Sequence, residues 1–169
     1  AQVYYFNDFA MAPDDWQAVA PNGTRATWER GQRNILLETK TKAEAIWRAP
    51  SLDLPTGQYY KLAIRYKARS EEMDTGMYRL AIAGAKGTPK AIDEIIGSYN
   101  APGTDLRFPD LGYWTVKRFW FAPAHAKTDI SIRTLTRYTD QTMWFDDFAI
   151  VGAASHARLM SPRDGDVVS

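Results

Sequence analysis

The stretch YKLAIRYKAR, residues 60–69, decides how this chain folds. Leu62, Ile64 and Tyr66 alternate with Lys61, Arg65 and Lys67, and Arg69 continues the charged series. Successive side chains of a strand point to opposite faces, so the segment reads as a strand with one apolar and one cationic face. The same alternation recurs in NILLETK (34–40), MYRLAIAG (77–84), WTVKRFWFAP (114–123), TDISIRTLTR (128–137) and MWFDDFAIV (143–151). All are short, rich in β-branched or aromatic residues and bounded by turn formers.

Seven to nine such strands predict an all-β domain, a two-sheet antiparallel β-sandwich (jelly roll), over residues 1–152. Turn chemistry supports this at Pro21-Asn22-Gly23 and Pro55-Thr56-Gly57. KAIDEIIGSY (90–99) is the one candidate short helix, and it reads equally well as a strand. The run 97–114 reads as a long loop with four aromatics, the kind of segment that often carries function. Residues 153–169 read as a linker or the start of a following domain, since their last stretch, SPRDGDVVS, is polar with Pro and Gly.

Composition narrows the function. The chain has 169 residues, no cysteine and a formal net charge of +1. Without cysteine there is no disulfide framework and no thiolate zinc site. No apolar run reaches the length of a membrane-spanning helix, and no signal peptide is visible at Ala1-Gln2, so the expectation is a partner other than a membrane. Near-neutral charge argues against a nucleic-acid binder and makes any basic surface a local arrangement. Aromatic residues reach 13%, enough for both a core and a stacking surface.

Five pieces in order resemble carbohydrate-binding modules of the galactose-binding-like β-jelly-roll group, as found beside glycoside hydrolases and polysaccharide lyases. They are FNDFAMAPDDW (6–16), RNILLETK (33–40), LDLPTGQYYKLAIRYKAR (52–69), WTVKRFWFAP and MWFDDFAIV, together spanning most of 4–151. Ala10 stands where the group usually has an acid. The resemblance implies a β-sandwich that binds a polysaccharide, is joined to a catalytic domain in its parent chain and is secreted, extracellular or periplasmic. It also implies a structural calcium at the paired aspartates, with Asp147, Asp146, Asp8 and Asn7 as ligands and Glu38 as a weaker candidate. Calcium takes six to eight oxygens, including backbone carbonyls. The alternative at Asp146-Asp147 is a strand-end turn satisfied by backbone amides and arginine. The two carboxylates are expected to diverge to opposite faces, which removes them as a glycosidase pair.

Alternation assigns an outward set: Arg65 and Lys67, Arg79, Arg118 and Trp120, and Arg133. If these strands share a sheet, they form the floor of a groove for an acidic, uronate-containing or sulfated glycan. Arginine matches such anions bidentately and tryptophan offers a flat face to a sugar ring. The bland alternative is a solvated sheet face with edge-protecting cations. Tyr99 and Tyr138, with Tyr113 and Trp114 nearby, mark a second candidate site at the sandwich edge. Trp16, Trp28, Trp47 and Trp144 read as core, and Trp114 as structural.

His125 and His156 are the only histidines and lie in no nucleophile motif, and no phosphate loop or dinucleotide fingerprint is present. The expectation is a non-catalytic module. The runner-up readings are a jelly-roll lyase, with Tyr66 or Tyr78 as base beside Arg65, and a protein-interaction or adhesion module.

Overall fold

The computed structural model describes residues 2–70, 113–123, 125–134 and 140–152 and, between 71 and 112, the backbone of six short strands. The strands are β1 (Val3–Asn7), β2 (Gln17–Val19), β3 (Thr24–Glu29), β4 (Asn34–Thr39), β5 (Ile46–Arg48), β6 (Leu52–Asp53) and β7 (Tyr60–Ser70). Next come β8 (Thr75–Gly76), β9 (Tyr78–Ile82), β10 (Ala85–Lys86), β11 (Asp93–Ile96), β12 (Ser98–Ala101) and β13 (Asp105–Pro109). The last are β14 (Thr115–Pro123), β15 (Lys127–Thr128), β16 (Ile130–Thr134) and β17 (Gln141–Gly152). The chain is all β, as expected. There are more strands than the expected seven to nine, because two- to four-residue segments pair at the sheet margins.

Two sheets carry the sandwich. The first has seven strands in the order β10-β14-β7-β17-β4-β3, with β1 beside β17, and the second runs β11-β9-β16-β5-β2. The candidate helix within 90–99 is strand, and the long loop within 97–114 holds the hairpin of β12 and β13. Asp93–Ile96 is strand despite its helix-compatible composition because β9 offers a pairing edge. Residues 153–169 lie outside the described residues.

The inward face of β7 contains the apolar set read from sequence, Leu62, Ile64 and Tyr66, and extends it by Tyr60 and Ala68. Tyr60, Leu62, Ile64, Tyr66 and Ala68 are buried and join one core with Ile35 and Leu37 of β4 and Phe145, Phe148 and Ile150 of β17. The second sheet contributes Ile130, Ile132 and Trp47 to the same core. Trp47 Nε1 donates to the Leu36 carbonyl at 2.9 Å and ties β5 to β4 across the sandwich. Burying such side chains is worth about 1.5–3 kcal/mol each.

The segment 6–16 closes one end. Asn7 Oδ1 accepts from the Phe9 amide at 2.8 Å, and Phe9 takes a left-handed φ of 53°. That conformation is uncommon outside glycine, and it drives the Phe9 ring, 0% exposed, into the core against Trp16. Trp16 Nε1 donates to the Tyr5 hydroxyl at 2.7 Å, and both rings pack on Phe148.

Candidate functional site

Residues opposite one another in a sheet share a face, so the register of the first sheet lays out its outward surface in rows. Lys67 lies opposite Trp144 of β17, and Trp144 lies opposite Leu36 of β4. One row further, Arg69 lies opposite Thr142 and Thr142 opposite Glu38. In the other direction Ala63 lies opposite Arg118, and Lys61 opposite Trp120. The cations of β7 and the Arg118–Trp120 pair of β14 therefore do share one surface.

It carries a stack of cations and rings. Lys67 Nζ sits 4.8 Å from the centre of the Trp144 ring, and the Arg65 guanidinium 4.9 Å from the centre of the Trp114 ring. Beside Trp144 is an open pocket of about 210 Å³ lined by Glu38, Lys40, Arg69, Asp140, Thr142 and Trp144. Glu38 accepts from Arg25 at 3.0 Å and from Thr142 Oγ1 at 3.1 Å, and Lys40 pairs with Asp140 at 3.9 Å. The pocket thus has a flat ring on one side and fixed donors and acceptors on the other, the equipment for a polyhydroxylated ligand.

No protein-family model matches the sequence, and neither does any curated protein. The fold has clear relatives among solved structures. The chain is similar to the ligand-free CBM1 module of BiXyn10A, with a TM-score of 0.62 and 12% identity over 89% of this chain and 99% of that one. It is also similar to the CBM22-1 xylan-binding domain of Xyn10C from Paenibacillus barcinonensis, with a TM-score of 0.57 and 12% identity over 89% and 94% of the two chains. The fold is that of the carbohydrate-binding modules. The K1 cleaved adhesin domain of Lys-gingipain from Porphyromonas gingivalis is a further relative in structure, with a TM-score of 0.57 and 17% identity over 89% and 98% of the chains.

On this sandwich the residues proposed from sequence divide. Arg65, Lys67, Arg118 and Trp120 lie on the outward face of the first sheet. Arg79 and Arg133 do not join them. They occupy opposite register positions on β9 and β16 in the second sheet, where Arg133 bonds Glu44 at 3.3 Å. Alternation assigns a side of a strand and says nothing about which sheet the strand enters. The side chain of Arg79 lies outside the described residues. So does that of Tyr99, whose backbone is in β12, and so does Tyr138 altogether.

One expectation for tryptophan is corrected. Trp144 is not core: Met143 and Phe145 fill the inward positions on either side and leave it on the outer face. The alternation of MWF already contained this signal. Trp114 is a partner of two cations, with Lys67 Nζ also 6.0 Å from its ring centre. Trp16 and Trp47 are core, and Trp28 packs half-buried against it. Glu38, Arg69, Lys40, Asp140 and Thr142 were missed as a pocket because three strands and a turn bring them together.

Asp146 and Asp147 do not diverge. The register with β7 shifts between Asp146 and Ala149, and Asp147 has a φ of 49°. This bulge puts both aspartates on the outer face between the fully buried Phe145 and Phe148. It lies where β17 exchanges one neighbour, β4, for another, β1. Asp146 Oδ1 accepts from the Asp147 amide at 2.8 Å, and Asp147 Oδ2 pairs with Arg65 at 3.1 Å. Asn7 Oδ1 and Asp8 Oδ1 serve the Phe9 and Ala10 amides.

As placed, this donor set does not fit a resident calcium. An arginine cation holds one carboxylate, three other oxygens are bonded to backbone amides, and among the described residues no three carboxylate or imidazole side chains gather as a metal cage. A chelator is expected to leave the melting temperature unchanged, and added calcium to leave it unchanged too. A calcium-dependent rise in differential scanning fluorimetry would show that the aspartates rearrange around the ion.

Burial pushes the Asp146 carboxyl above the usual aspartate range, and the charge of Asp147 adds to this against the opposing pull of the Asp147 amide and Arg65. A raised pKa in the folded state means the ionised form weakens the fold, a penalty present at neutral pH and lost as pH falls below the ordinary aspartate value. Asp146→Asn, which keeps the Oδ1 acceptor, should therefore raise the melting temperature at pH 7 by about a degree. The gain should vanish toward pH 3. Equal shifts at both pH values would assign the effect to something other than ionisation.

Proposed function

We propose that this chain is a non-catalytic carbohydrate-binding module that holds a polysaccharide on the outward face of its first sheet. In this reading it belongs to an exported glycan-degrading enzyme and keeps that enzyme's catalytic domain at its substrate by raising local concentration. The observation that carries the proposal is Trp144, stacked with Lys67 at the rim of the Glu38–Arg69–Thr142 pocket. The fold shared with carbohydrate-binding modules supports it.

The finer part of the proposal is an anionic glycan. Among the described residues, the ion pairs of this face are Arg25–Glu38, Lys40–Asp140 and Arg65–Asp147, and they leave out Lys61, Lys67 and Arg118. These three supply positive charge along β7 and β14, while Glu38, Asp146 and Asp147 make the β4 and β17 side less basic than the sequence suggests. A lyase reading loses one of its bases. Tyr66 is 4% exposed, and burial, with the nearby Tyr113, pushes its hydroxyl up to about 12.

The test is electrophoresis in native gels cast with acidic or neutral polysaccharides at low and moderate salt. Retardation by an acidic chain that weakens with salt supports the anionic reading. Retardation by neutral chains alone keeps the module and removes the anionic ligand. No retardation favours an adhesion module, for which the gingipain domain is the structural precedent.

A further inference from the structure

The other end of the same face is built differently. Beyond the bulge β17 pairs with β1, and the register sets Phe6 opposite Ala149, Ala149 opposite Ala63, and Ala63 opposite Arg118. Two alanines side by side on the central strands make a low floor. Phe6 rises at one margin and is 56% exposed, with Val3 on the same strand 59% exposed. Trp120, on β14 two residues beyond Arg118, stands near the opposite margin. The core does not need Phe6, because Tyr4 and Tyr5 of the same strand pack against it. An apolar ring on an edge strand, above a floor of small residues, marks a contact surface.

We infer that this trough is a second subsite for the same ligand, so that the module takes an internal stretch of a linear polysaccharide and not a chain end or a disaccharide. The inference rests on the glycan reading of the Trp144 pocket. Trp144 lies opposite Lys67, and the trough floor lies four residues back along β7 at Ala63. At about 3.3 Å per residue the two centres are roughly 13 Å apart, farther than two linked sugar rings reach. The ligand runs over the outward face along the paired strands β7 and β17. Between the subsites it passes the Arg65–Asp147 pair and the Trp114 ring stacked on Arg65. At the far end a ring lies on the alanine floor with its apolar face toward Phe6.

Calorimetric titration with xylo-oligosaccharides and oligogalacturonates of two to six rings tests this. Affinity for the favoured series should climb about tenfold or more between the dimer and the hexamer, the order that one aromatic stacking contact supplies. Phe6→Ala should flatten the climb and leave the dimer and the melting temperature unchanged, and Phe6→Trp should restore it. A climb that Phe6→Ala leaves intact, or affinity that levels off at the dimer, overturns the second subsite while the Trp144 reading stands. No binding of either series overturns both.

Discussion

Trp144→Ala should lower affinity for the retarding polysaccharide by about thirtyfold, the roughly 2 kcal/mol that a central aromatic anchor contributes. The ring is the largest apolar surface at the pocket, and Lys67 holds one of its faces. The substitution leaves Glu38 hydrogen-bonded to Thr142 and Arg25, so the polar half of the pocket survives. Since Trp144 lies outside the core, the melting temperature should move only a few degrees. Affinity gels at several polysaccharide concentrations give the dissociation constants. Unchanged retardation of the variant would place the site elsewhere on the sandwich.

The opposite combination is expected one residue away. Phe145→Ala should cost about 3–5 kcal/mol of stability, because a fully buried ring is lost and the surrounding sheet closes only partly on the cavity. Phe145 lies on β17 between Tyr66 of β7 and Ile35 of β4, so its loss is felt by three adjacent strands. Set against the 5–15 kcal/mol of a typical domain, this is a large fraction. The melting temperature should fall by about 10 °C or more. At a temperature where the variant is still folded, its binding should match that of the parent. A fall of only one or two degrees would mean that β17 is not the centre of the core. Adjacent residues of one strand thus separate the roles, stability inward and ligand outward, because side chains alternate faces.

The reach of this alternation explains which features were legible before the structure. The buried set of β7 is as read, since an apolar period of two has only one face to bury. Phe121 of β14 and Ile130 and Ile132 of β16 are buried by the same period. Trp144 was legible by the same rule and was misread because tryptophan is so often core. The division of the arginines was not legible: Arg118 and Arg133 obey the same period, yet β14 joins β7 while β16 joins β9. Pairing partners are set by long-range contacts, which a local pattern does not encode.

The paired aspartates show the same limit at closer range. Strict alternation sends them to opposite faces, and a single inserted residue with a left-handed backbone sends both outward. Nothing in Asp-Asp signals a bulge; the exchange of β4 for β1 beside β17 accounts for it. The sequence alone therefore determined the all-β class, the faces of the regular strands and the presence of a cationic strand among aromatics, because each follows from hydrophobic burial at a period of two. Tertiary structure decided which cations share a sheet, which are neutralised by Asp147, Glu38 and Asp140, and where Trp144 meets its pocket. Those outcomes depend on strand order and register, which arise only when segments far apart in the chain compete to cover one core.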